Sequence, residues 1–108
     1  MTPLFERTMA FDYGRAETSA LMRKVWEPTP WMVDAYTGDV VDREREREML
    51  SWCYDEIGPQ ASPIHDRAGR WQRGNATVFG WTSFGFAAEA DMLRFIARWP
   101  APEGVGTP

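Results

Sequence analysis

The chain has 108 residues, 44% of them hydrophobic, and a net charge of −4 from 16 acids and 12 bases. That length suits one domain built on one core, and the acidic balance argues against the concentrated basic face of a nucleic-acid binder. A single cysteine, Cys53, excludes an intrachain disulfide and a cysteine-built zinc cluster. No apolar run approaches the ~20 residues of a membrane span, and Met1–Ala10 does not read as a signal peptide. A cytoplasmic protein is expected.

In chain order, Phe5–Tyr13 alternates, with Phe5, Arg7, Met9, Phe11 and Tyr13 on one side, which predicts a strand with one buried face broken by Gly14. Thr18 or Ser19 can cap a short helix carrying Leu21, Met22, Val25 and Trp26, ended by Pro28 and Pro30. Trp31–Tyr36 reads as a second short strand, and Thr37-Gly38-Asp39 as a turn. A long helix follows, capped by Asp39 or Asp42 and running to Ile57. Its apolar stripe is Met49, Trp52, Cys53 and Ile57, flanked by Leu50 and Tyr54, and Gly58-Pro59 stops it.

The segment 59–69 is a loop. A strand begins around Trp71, Gly74-Asn75 reads as a hairpin turn, and 76–86 is β-prone, with Thr82, Phe84 and Phe86 opposed to Trp81, Ser83 and Gly85. The last element is a helix whose face is Ala88, Met92, Phe95, Ile96 and Trp99, with acids in its first turn and arginines in its last. Pro100 closes it, giving a domain over 1–99 and a tail over 100–108. The expected class is α+β: a small antiparallel sheet with two main helices on one face, a ferredoxin-like split βαβ arrangement being one candidate.

The compositional outlier is tryptophan, six in all. Rings of that size fill cores and also anchor protein interfaces. Trp31, Trp71 and Trp81 lie outside the two clear helical stripes and are the expected interface residues. Arginine supplies 11 of the 12 bases, Lys24 the other, and its planar fork suits stacked and bidentate contacts.

Chemistry finds little purchase. His65 is the one histidine, and pairing it with Cys53 would be the sole route to a thiol nucleophile. Cys53 belongs to an apolar stripe, where cysteine behaves as a small hydrophobe. One histidine and one cysteine make a poor transition-metal set. No phosphate-binding glycine motif occurs. The alternating run Asp42–Glu48 reads as a solvated helix face. No catalytic residue, cofactor or metal is expected. The aromatic hairpin 70–86 leaves nucleic acid as an alternative partner through base stacking.

The pattern Trp52-Cys53, Gly58, Trp71, Phe84-x-Phe86, Asp91, Phe95, Arg98-Trp99 resembles small uncharacterised proteins of tailed bacteriophages and prophages. Met92 stands where that pattern usually has alanine. The resemblance implies a viral or mobile-element origin and brings no activity with it. The expectation is a non-enzymatic protein-binding module, a small accessory inhibitor of a host or defence protein. A minor structural component of a virion or other assembly is the alternative, with the virion as its location.

Overall fold

β-Branched and aromatic residues in period-two alternation favour strands, and a 3.6-residue apolar period favours helices. The computed structural model of the protein follows both signals. It describes residues 9–10, 24–38, 43–78 and 80–102. The elements are β1 (Met9–Ala10), β2 (Trp31–Tyr36), α1 (Glu44–Glu56), a 3-10 turn (Pro63–His65), β3 (Trp71–Val78), β4 (Trp81–Phe86) and α2 (Glu89–Arg98). Lys24–Trp26 has helical backbone, and Pro28 follows it within two residues. The remainder of the expected strand 5–13 and of the first helix, the caps Asp39 and Asp42, and the end of the tail lie outside the described residues.

The four strands form one sheet in the order β1-β2-β4-β3, antiparallel at every step. Because β2 and β3 both run against β4, they are parallel to one another, and α1 carries the chain across between them. That is a split βαβ unit with β4 inserted. In a ferredoxin-like sheet the edge beside β2 is filled by a strand following the second helix. Here β1, which precedes the unit, fills it, so the topology is the ferredoxin-like order with one strand moved to the N-terminal side.

Both helices lie on one face of the sheet. Val33 and Ala35 of β2, Trp71 of β3, and Phe84 and Phe86 of β4 meet Met49, Cys53 and Ile57 of α1 and Met92, Phe95 and Trp99 of α2 in one buried cluster. Phe95 sits at its centre, with ring centroids 4.9 Å from Phe84 and 5.1 Å from Phe86. The register Val33↔Phe84 and Trp31↔Phe86 puts these side chains on the helix side together. At one end of this face the buried hydroxyls of Thr37 and Thr82 share a 2.8 Å hydrogen bond.

The opposite face is covered by the segment around Trp26–Thr29. Gln72 Nε2 donates to Val25 O and to Thr29 Oγ1, both at 2.6 Å. A Cβ on Gly85 would lie 2.6 Å from Thr29 O and 2.9 Å from the Trp26 ring, so this strand position has room only for hydrogen.

One turn is displaced from its expected place. Gly74-Asn75 does not make the hairpin; β3 continues through it to Val78, and the ladder register shifts between Arg73 and Thr77. The reversal lies at Gly80, whose φ of +85° is the left-handed conformation that glycine adopts without strain. Gly74 answers a packing demand instead: a Cβ there would come within 3.2 Å of Ser83 O.

Candidate functional site

The three expected interface tryptophans separate. Trp71 is completely enclosed. Its Nε1 donates to Gly58 O at 2.7 Å, and its ring meets Tyr54 edge-on and stacks against Phe84. Trp81 is 6% exposed and meets its cross-strand partner Tyr36 in a T-shaped contact. Both rings therefore belong to the folded body: hairpin strands buried on two sides leave them no open surface. Trp31 alone stays half-buried, packed against the edge of the core cluster.

Trp31 projects to the helix side of β2, as Val33 and Ala35 do two and four residues on. It pairs with Phe86, at the end of the sheet where α2 begins. Helix α2 lies over β2 and β4. Residues 91, 94 and 98 of α2 turn toward α1 and the 58–70 loop: Asp91 meets Arg70, and Arg94 covers Trp52 and donates to Glu56 O. Helical spacing then puts Leu93, Ile96 and Ala97 on the other flank, toward β2. Leu93 is 45% exposed, Ile96 half-buried and Ala97 exposed. Trp31 and this flank of α2 make the candidate interaction surface. Periodicity passes over Leu93 because it falls about a hundred degrees off the stripe Ala88, Met92, Phe95, Ile96. That displacement is itself the signal that could have found it: an apolar side chain out of phase with its own helix.

The alternating charge run is less uniformly solvated than its pattern suggests. Arg45 is half-buried, donating from Nε to Tyr36 O at 2.8 Å and from Nη2 to Pro100 O at 2.9 Å. Its guanidinium lies over the rings of Tyr36 and Trp99, and burial first, then the Arg98 charge, lowers its pKa against the raising effects of Tyr36 and Glu48. It ties the end of β2 to the chain just past α2. Glu46 pairs with Arg73 of β3. Arg43, Glu44, Arg47 and Glu48 are the exposed members of the run.

Cys53 is fully buried, and desolvation pushes its thiol up to about 12. A thiol so placed is protonated and enclosed at neutral pH. His65 is exposed in the 3-10 turn, its Nδ1 2.7 Å from Ser62 Oγ. The structure does not bring the two together as a nucleophile and its base. Asp91, buried at the start of α2, is held by Arg70 at 2.9 Å and Arg94 at 3.5 Å. Among the described residues no group of three or more His, Cys, Asp or Glu could hold a metal ion. Trp71, Trp81, Phe84 and Phe86 are all buried, so none of these hairpin rings offers a face for base stacking. Phe79 lies outside the described residues. No helix among them is long and apolar enough to cross a membrane.

No protein-family model matches the chain, and neither a curated protein nor a solved structure matches it.

Proposed function

We infer that the protein acts by binding another protein, as a small accessory inhibitor, through Trp31 and the β2-side flank of α2. The observation that carries this reading is Leu93, a large apolar side chain left open on a helix whose core-facing Met92 and Phe95 are buried. Trp31 and Ile96, each half-buried against the core cluster, are the other large apolar side chains of this surface. A rigid aromatic anchor beside aliphatic contacts is the composition of an interface centre. The resemblance to phage proteins supports a partner in the infected host.

The test is capture from host lysate by tagged wild-type protein, compared with Leu93→Asp and Trp31→Ala, with thermal unfolding measured in parallel. The expected result is a specific partner retained by the wild type and lost at least tenfold by Leu93→Asp, whose melting temperature stays within a few degrees. A partner captured equally by all three proteins, or none captured, overturns this reading.

A further inference from the structure

The other flank of α2 carries a different arrangement. Helices α1 and α2 lie side by side and antiparallel: Arg45 near the start of α1 reaches Pro100 beyond the end of α2, and Glu56 at the end of α1 meets Arg94. The seam between them has Trp52 as its half-buried floor, its ring against Phe95 and beneath the Arg94 guanidinium. Helical spacing from Arg45 and Trp52 puts Glu48 and Asp55 on the α1 wall of this seam. On the α2 wall stand Arg94 and Arg98, and all four are exposed. The levels match along the seam, Glu48 beside Arg98 and Asp55 beside Arg94.

The exposed side chains of one wall are therefore acidic and those of the other basic, with the half-buried Arg45 lying between them. Arg94 reaches down to Asp91, and Arg98 stacks 3.9 Å over the Trp99 ring. Among the described residues, Glu48, Asp55 and Arg98 have no oppositely charged group within 4.0 Å, although the charges of Glu48 and Arg98 both act on Arg45. An acidic partner would satisfy only the α2 wall and be repelled by the other; a basic partner has the reverse difficulty. A second copy of the chain satisfies both. Rotation by half a turn about an axis running along the seam sets each α1 against the partner's α2 at the same level. Glu48 then faces the partner's Arg98, Asp55 faces the partner's Arg94, and the two Trp52 rings close the centre. Such self-complementarity is what a two-fold interface requires.

We propose that the α1/α2 seam is a self-association surface forming a symmetric, salt-sensitive dimer. Helices of about 20 and 15 Å laid side by side bury only about 800 Å² in total, short of the ~1,200 Å² of a stable complex. The dimer is accordingly weak, with a dissociation constant on the order of 0.1–1 mM. It uses the flank of α2 opposite the interface proposed above and does not depend on it.

The experiment is sedimentation equilibrium of the full chain at about 0.5 mM protein, in low salt and again with about 0.5 M NaCl. Wild-type protein should show a monomer–dimer equilibrium that weakens tenfold or more in salt. Glu48→Arg and Arg98→Glu should each be monomeric, with far-ultraviolet circular dichroism confirming that they are folded. Mixed in equal amounts they should form heterodimers, because each new charge then meets its opposite on the other chain. A contact made within one chain would be restored in the double variant and not in the mixture. If a reversal prevents folding, Glu48→Gln and Arg98→Gln serve in its place, and each should weaken the wild-type dimer several-fold. Leu93→Asp should leave the dimer intact. Monomeric wild type in low salt, a mixture that stays monomeric, or neutral variants that dimerise as well as wild type, overturn the proposal.

Discussion

The two faces of the sheet are held by different balances of apolar area and directional contact. On the helix side, Val33, Ala35, Trp71, Phe84 and Phe86 are bound by area removed from water, a force without direction that tolerates exchange among side chains of similar volume. On the other side Trp26, Met32 and Trp81 are buried as well, but the covering segment is also fixed by specific polar contacts and clearances. Ser83 Oγ donates to Asp34 Oδ1 at 2.7 Å across the strands. Gln72 grips the Val25–Thr29 segment with two hydrogen bonds, and Gly85 lets that segment lie against bare backbone. The first face should yield gradually to substitution by apolar residues and sharply to charge. The second should yield to a single added methyl.

Charge entering the helix-side core gives the largest expected effect. The Cys53 thiol is raised from an ordinary 9.0 to about 12 by burial. The unfolded chain ionises first as pH rises, so the stabilisation from the neutral buried thiol is complete below pH 9.0 and is lost by about pH 12. Each unit in that window costs about 1.4 kcal/mol, and the whole of it on the order of 4 kcal/mol. Urea unfolding of wild type and Cys53→Ala at successive pH values separates this from other titrations. The difference between the two proteins should shift steadily against the wild type above pH 9.0. A constant difference across the window would mean that the thiol is not enclosed as described.

The opposite face responds to volume. Gly85→Ala puts a methyl 2.6 Å from Thr29 O and 2.8 Å from its hydroxyl, and the covering segment must move away. The expected loss is about 1–3 kcal/mol, read as a lowered denaturation midpoint. Near-ultraviolet circular dichroism should change as well, because Trp26 rides on the displaced segment. Unchanged stability would show that Trp26–Thr29 does not lie against β4.

The same division between area and direction decides what is legible in the amino-acid order. Periodicity locates β2, both long helices and the core stripe Met49, Cys53, Ile57, because one-sided burial leaves its period in the sequence. The side-chain alternation of β4 is readable for the same reason. The hairpin reversal is not. Gly74-Asn75 and Gly80 carry equally strong turn chemistry, and only the partner strand decides which glycine serves the reversal and which serves close packing. Arg45 is hidden for a related reason: in an alternating charge run nothing local tells the one arginine that reaches two carbonyls on other elements from its solvated neighbours. The candidate surface is legible only in part. Trp31 stands out as lying off the helical stripes, but so do Trp71 and Trp81, and their burial follows from long-range strand pairing that one-dimensional spacing does not encode.

The smallest expected effect sharpens the contrast. Trp99 is buried, and among the described residues its Nε1–H has no acceptor, an omission that costs about 1–3 kcal/mol relative to a satisfied donor. Trp99→Phe removes that donor while keeping an aromatic ring beneath Arg98 and beside Arg45. The apolar area lost and the weaker cation–π contact oppose the gain. The two nearly cancel, and the denaturation midpoint should correspond to a change of less than about 1 kcal/mol. A loss beyond about 3 kcal/mol would show that the indole nitrogen does have an acceptor, and that this corner of the helix side is held by direction as much as by area.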